Sequence, residues 1–222
     1  MRGIFDEELK RLLNKFTEMG INVSEQIYRA TKSFVDHDRE LAQQVIDADD
    51  EINEQEIKLE DQALNLIALK QPVASDFRKV IVVLKASSDL ERIGDHAVGI
   101  AKETIRIKGK QRDQKIEDEI ADMTNTVRSM LDITIDAYVK GDSALAEQVI
   151  EANKKIDQRY NQIRKDSLAN MKSDPNAITG GTGYLWVASY LERIGDHITN
   201  VVEWILYNKT GKITELSSDI VE

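Results

Sequence analysis

The 222-residue chain contains no cysteine, so disulfides, thiolate zinc sites and cysteine nucleophiles are excluded. Proline occurs twice and glycine eleven times. So few breakers leave little with which to build strands and tight turns, and long helices are the expectation. Long apolar runs are missing as well. The longest, Val80-Ile-Val-Val-Leu84, falls far short of the roughly 20 residues a transmembrane helix needs. The first ten residues turn acidic at once and carry no signal-peptide core. A soluble, cytoplasmic chain is expected, peripheral to a membrane at most. Basic charge is also in deficit: 30 Lys and Arg stand against 40 Asp and Glu, a net charge of −10. A nucleic-acid binder normally shows a basic face, so that class is set aside. Phosphate loops and dinucleotide fingerprints are absent from the sequence, and no Ser/His/acid set can be argued, so the chain does not read as an enzyme.

What is present is helical and repeated. Breaks at Asp36–Asp38, Gln71-Pro72, Lys108–Asp113, Lys140–Asp142 and Lys172–Gly183 leave six amphipathic segments, near 4–35, 38–70, 73–107, 113–140, 143–171 and 178–208. Asp38 and Asp142 stand where helix N-caps belong, and Gly141 where a C-cap belongs. Asp38-Arg-Glu-Leu-Ala-Gln-Gln-Val-Ile-Asp-Ala48 matches Asp142-Ser-Ala-Leu-Ala-Glu-Gln-Val-Ile-Glu-Ala152 at a shift of 104 residues. Leu90-Glu-Arg-Ile-Gly-Asp-His96 recurs as Leu191-Glu-Arg-Ile-Gly-Asp-His197 at a shift of 101. The expected fold is all-α: two tandem antiparallel three-helix bundles related by an internal repeat, over residues 1–109 and 110–222.

The heptapeptide carries the only candidate chemistry. On the third segment Phe77, Ile81, Leu84, Ser88, Glu91, Asp95 and Val98 follow core spacing, so two carboxylates occupy a stripe that begins apolar. Val83, Leu90, Ile93, Ala97 and Ile100 form a second apolar stripe. The sixth segment repeats the pattern with Leu185, Ser189, Glu192, Asp196 and Thr199. Acids four residues apart repel and are costly to bury unpaired, so a cation must compensate. Folding the helices back at their turns sets Asp49, Asp50 and Asn53 level with Glu91 and Asp95, and Asn153 and Asp157 level with Glu192 and Asp196. Asn22, Glu25 and Gln26 from the first helix, and Asn125 and Ser129 from the fourth, join those levels. An oxygen-only set suits Mg, Ca, Mn or oxidised Fe, whereas Zn or Ni would more naturally recruit imidazole. The alternative is a metal-free scaffold in which Arg92 and Arg193 reach acids on another helix. A carboxylate-cluster metalloenzyme is a third reading. His96 and His197 read as packing groups, His37 as an exposed turn residue, Gly94 and Gly195 as sites of close helix approach, and Tyr184, Trp186, Tyr190 and Trp204 as core or interface.

The doubled heptapeptide, with Gln71-Pro-Val-Ala-Ser-Asp-Phe-Arg78 and Asp50-Glu-Ile-Asn53, resembles the PhoU family of phosphate-transport accessory and regulatory proteins along essentially the whole chain. The resemblance implies a homodimer of doubled three-helix bundles with multinuclear metal clusters, often iron, on Glu/Asp-x-x-x-Asp motifs. Those motifs are here Glu91 with Asp95 and Glu192 with Asp196. It implies a cytoplasmic regulator of phosphate uptake and of the phosphate-starvation response. Its implied partners are the phosphate ABC transporter, through the ATPase subunit, and a sensor histidine kinase. Asp49 and Asp50 become Asn153 and Lys154 in the second repeat, so the second site is expected to hold fewer ions or to hold them more weakly.

Overall fold

The structure, a computed structural model, describes residues 2–107, 112–140, 145–213 and 216. All the regular elements among them are helical. They are α1 (Arg2–Val35), α2 (Arg39–Asp47), α3 (Asp49–Lys70), α4 (Ala74–Arg106), α5 (Gln114–Lys140), α6 (Leu145–Ser173), a single 3-10 turn (Pro175–Ala177) and α7 (Ile178–Thr210). The α1 sequence shows why. Phe5, Leu9, Leu12, Phe16, Met19, Val23, Ile27, Ala30 and Phe34 recur every three or four residues, and all are buried. Asp38 caps α2 as its position suggested, accepting the Leu41 N–H at 2.9 Å. Gly141 and Asp142, and the boundary between residues 109 and 110, lie outside the described residues.

The segment expected to be one helix over 38–70 is two. It breaks at Ala48, which ends α2 and starts α3. Asp49, Asp50 and Glu51 thereby fall in the first turn of a new helix, where the positive end of the dipole favours acids. Their counterparts Asn153, Lys154 and Lys155 sit inside the unbroken α6. The local charge pattern accounts for a break in one repeat only.

Helices α1 to α4 form one bundle and α5 to α7 the other. The buried apolar side chains of both make one continuous cluster, because the bundles pack broadside. Helix α1 runs antiparallel to α5: Phe16 meets Tyr138 edge-on at 5.0 Å, and Thr124 Oγ1 bonds Thr31 Oγ1 at 3.1 Å. Helix α4 runs antiparallel to α7, with Arg78 donating to the Asn208 carbonyl at 3.2 Å and Asp89 facing His197 at 3.0 Å.

One polar knot fastens the bundles where α1 ends and α5 begins. Glu117, 0% exposed, accepts from Arg112 at 2.6 Å, from the Tyr184 hydroxyl at 2.9 Å and faces His37 Nε2 at 3.3 Å. Arg112 also donates to the Val35 carbonyl. His37 is an exposed turn residue as expected, and it is also tied to the second bundle through Glu117, stacked on Phe34 with a left-handed φ of 55°. Tyr184 is buried as expected, whereas Trp186 is 48% exposed.

Glu117→Ala leaves the buried Tyr184 hydroxyl without its acceptor and the 43%-exposed Arg112 without its ion pair, so the unfolding free energy should fall by about 1–3 kcal/mol. Lys58→Ala, which removes a solvent-exposed pair with Glu54, should leave it unchanged within the error of the titration. Urea titrations of the two variants check both.

Candidate metal seams and the meeting of the two heptapeptides

A helix turns about 100° per residue, so the heptapeptide points its side chains in three directions. Leu90 and Ile93 are fully buried. Glu91 and Asp95 lie along α3, and His96 faces α7. The acid stripe is less enclosed than its spacing suggested. Phe77 is 39% exposed, and Ile81, Leu84, Ser88, Glu91 and Asp95 are only half-buried. The stripe of Val83, Leu90, Ile93, Ala97 and Ile100 is the one that faces the core, fully buried throughout. The acids therefore line the rim of the α3–α4 contact rather than its centre.

Gly94 lets that contact close, as expected of it. A Cβ there would stand 3.0 Å from Gln26 Oε1, 3.3 Å from Ile52 and 3.8 Å from Asp49 Oδ1. Gly195 repeats the crossing: a Cβ there would run into Asn153 Oδ1 and stand 3.6 Å from Ile156. In the first seam Gln26 donates to Asp49 Oδ1 at 3.1 Å. Burial raises the Asp49 pKa against that hydrogen bond, with help from Asp95. Burial raises Glu91 too, followed by the charges of Asp95 and Glu56. Glu56 is raised by burial and by Glu60. Sequence reasoning missed Glu56, although Asp49, Asn53 and Glu56 follow helical i, i+4, i+7 spacing on one face. Asp50 is exposed and stands apart, while Asn53 is half-buried on α3.

Arg92 compensates in part. It bonds Asp95 at 3.0 Å and approaches Glu91 at 3.6 Å, on its own helix rather than another, and is itself 59% exposed. Such a pair is heavily screened by water. In the second seam Asn153 donates to Asp196 Oδ1 at 3.4 Å. Burial raises Glu192, with Asp196 and Asp157 adding to it. Asp157 is raised by burial and then by Asp196. Tyr160 occupies the position corresponding to Glu56. Asn125 and Ser129 are exposed on α5 and do not join this seam. Asn125 lines a hollow beside Tyr28 and Lys32 of α1.

The chemistry of these donors fits a hard cation. Each seam holds a buried amide, Gln26 at 7% and Asn153 at 5% exposure. Each amide gives its N–H to a seam aspartate and leaves its oxygen without a partner. Unpartnered buried acceptors are uncommon, and here both lie among carboxylates that repel one another. Among the described residues no three His, Asp or Glu side chains converge on one point as they stand. Each seam is a row rather than a closed cage.

The histidines, read as packing groups, meet across the bundles. Their ring centroids lie 5.4 Å apart. His197 Nδ1 and Asn200 Nδ2 lie 3.0 and 3.1 Å from Asp89 Oδ1. On the other side Tyr190 stands 5.9 Å from His96 and packs its ring where a Gly99 Cβ would be, 2.7 Å away. Asp89 and Tyr190, His96 and His197, and Gly99 and Asn200 are each 101 residues apart. The α4–α7 contact is thus a pseudo-twofold of the repeat itself. Burial, then His197 and Arg193, pushes His96 down to about 4, so it stays neutral near pH 7.

The PhoU domain profile matches residues 16–104 and 120–205. The phosphate-specific transport system accessory protein PhoU homolog of Clostridium acetobutylicum is 37% identical over 217 residues, 97% of this chain and 99% of its own length. The homolog of that name from Streptococcus pneumoniae is 34% identical over 98% of this chain and all of its own. Among solved structures, the phosphate transport system regulatory protein PhoU from Streptococcus pneumoniae superposes with a TM-score of 0.89 at 33% identity, covering 95% of this chain and 99% of that one. PhoU from Pseudomonas aeruginosa gives 0.87 at 33% identity over 94% of this chain and all of that one.

The seam pKa directions fix a sign. A carboxyl whose pKa is higher folded than unfolded binds more protons in the folded state, so stability falls as pH rises through that interval. The interval starts at the ordinary carboxylate value and extends upward. Glu91→Gln should therefore stabilise chelator-treated protein at about pH 7 and do so less at about pH 5. Denaturation at the two pH values reads the difference.

Proposed function

The chain belongs to the PhoU family, and we propose that it is a non-enzymatic accessory and regulatory protein of phosphate transport. In this reading it restrains phosphate uptake through the ATPase subunit of the phosphate ABC transporter. It also restrains the phosphate-starvation response through a sensor histidine kinase. It works in the cytoplasm as a homodimer, peripheral to the membrane at most. Relatives named for phosphate-transport accessory function, matching end to end, support this most strongly. No helix among the described residues is long and apolar enough to cross a membrane.

We further propose that the seams bind metal, as multinuclear iron, with Zn, Ni, Mn, Mg or Ca as the alternatives a metal analysis distinguishes. Asp49, Asp50, Asn53, Glu91 and Asp95 would hold it in the first repeat, and Asn153, Asp157, Glu192 and Asp196 in the second. Asp50 reaches the first seam only by turning its exposed side chain inward. Glu56 and the Gln26 oxygen extend the first set. Bound cations supply positive charge between carboxylates that otherwise repel. The unpartnered oxygens of Gln26 and Asn153 carry this reading. The Arg92 bridge to Glu91 and Asp95 favours a metal-free scaffold instead.

Elemental analysis of protein purified without tag or chelator separates the two. Metal should be present, and Glu91→Ala with Asp95→Ala should remove more of it than Glu192→Ala with Asp196→Ala. Verified removal should lower the melting temperature, because the carboxylates then repel. An unchanged melt, with no metal after reconstitution, leaves the scaffold reading. For the regulatory role, deletion of the gene should raise phosphate uptake and release a starvation reporter. Normal uptake and a silent reporter in that strain would overturn it.

A further inference from the structure

We propose that His96 and His197 form an imidazole metal site between the two repeats, separate from the carboxylate seams and suited to a borderline divalent ion such as Zn, Ni or Co. The two rings belong to one pseudo-twofold and face each other from different bundles, 5.4 Å apart between centroids and tilted by 36°. Two imidazoles sharing a tetrahedral ion at about 2.0–2.1 Å per nitrogen place their centroids about 5 Å apart. The helices already hold the rings at that spacing.

The surrounding groups suit ligation. A metal-binding histidine typically gives its second N–H to a carboxylate, which fixes the tautomer and turns the other nitrogen toward the ion. Asp89 stands in that relation to His197, at 3.0 Å from Nδ1. Asn200 holds the same Asp89 oxygen at 3.1 Å, so the carboxylate is itself oriented. His96 has no hydrogen-bond partner among the described residues, and its ring packs beside those of Tyr190 and His197. Its nitrogens are not engaged elsewhere.

No further His, Asp or Glu completes a set of three here, so water takes the remaining positions. Solvent can reach the site, since the His197 side chain is 25% exposed. The neighbouring acids are engaged within their own bundles, Asp95 by Arg92 and Asp196 by Asn153. Softness separates the two kinds of site: imidazole selects Zn, Ni and Co, whereas carboxylate and amide oxygens select harder ions. An ion here would also join α4 to α7 directly, clamping one repeat to the other.

The test uses the full chain with its seams neutralised by Asp49→Asn, Asp50→Asn, Glu56→Gln, Glu91→Gln, Asp95→Asn, Asp157→Asn, Glu192→Gln and Asp196→Asn, titrated with Co(II) and followed by visible absorption and calorimetry. One equivalent should bind per chain, with a d–d spectrum showing nitrogen ligation. His96→Phe and His197→Phe should each weaken binding at least about tenfold, and Asp89→Leu about 10- to 100-fold. Circular dichroism melts confirm that each variant folds, and His96→Gln and His197→Gln replace any Phe variant that does not. Zn(II) should raise the melting temperature of the seam-neutralised chain but not that of its His197 variant. No Co(II) binding by the folded parent, or binding unchanged in both histidine variants, overturns the proposal. Because the seams are already neutral in this background, their own failure to bind iron leaves the result unaffected.

Discussion

The structure depends on one crossing, that of α4 over α7. Both helices carry the same heptapeptide, and duplication brings the two copies face to face. A helix can present only so many directions within seven residues, and here each is committed. Leucine and isoleucine hold the shared core, glycine admits the neighbouring helix, acids run along the seam, and histidine crosses to the other repeat. Moving any one residue type would require another helix to move. The packing must also be tight: Gly99 leaves room for Tyr190 within the crossing, while Gly94 admits side chains of α1 and α3 and Gly195 those of α6. Glycine costs about 1 kcal/mol within a helix, so its presence at these three places shows that close approach outweighs propensity.

Duplication explains the shape of the molecule, and divergence explains its asymmetry. Across the pseudo-twofold Asp89 has Tyr190 as its counterpart, and Gly99 has Asn200. These differences are coupled. Tyr190 needs the space that Gly99 leaves, and Asp89 needs the donor that Asn200 provides. One half of the contact became aromatic and apolar, the other ionic. The environments of the histidines follow: His197 has a carboxylate beside it, whereas His96 is held neutral by burial. The seams diverged in the same direction. Asp49 and Glu56 correspond to Asn153 and Tyr160, so acidity concentrates in the first repeat.

Periodicity and breakers made most of the fold legible. The α1 heptads, the Asp38 cap, the turn at Gln71-Pro72 and the doubled unit all depend on neighbours in sequence, where spacing is informative. What escaped depends on partners distant in sequence. The break at Ala48 reflects a contest between a continuous helix and three consecutive acids that gain from a new N-terminus, and hydrophobic spacing does not register it. The acid stripe of α4 reads as central because it begins with Phe77 and Ile81. Helix α4 packs against α1, α2, α3 and α7, and the acid stripe runs along the edge of its contact with α3. His37 reads as a loop residue until α5 places Glu117 against it. The histidine pair was invisible for a related reason: each ring is ordinary alone, and only the way the two bundles pack makes them neighbours.

The seams raise a question of cost. Asp49, Glu56 and Glu91 are all pushed upward in pKa by burial and by one another, which means that each ionised group near neutral pH works against the fold. Apolar replacement of poorly compensated buried charges is often neutral or stabilising, so packing alone gives no reason to keep them. Arg92 does not remove the difficulty, because it is largely in water and bonds acids on its own helix. Nor do the amides, since Gln26 and Asn153 each donate one N–H and leave an oxygen unpartnered. A structure meant only to be rigid would improve by losing these groups. On the proposed reading these groups await a cation, and the instability lasts until the ion binds. The protein's stability would then report its metal content. Because α4 carries the acids on one side and the interbundle contact on another, a change in the first seam acts on a helix that the second bundle also grips.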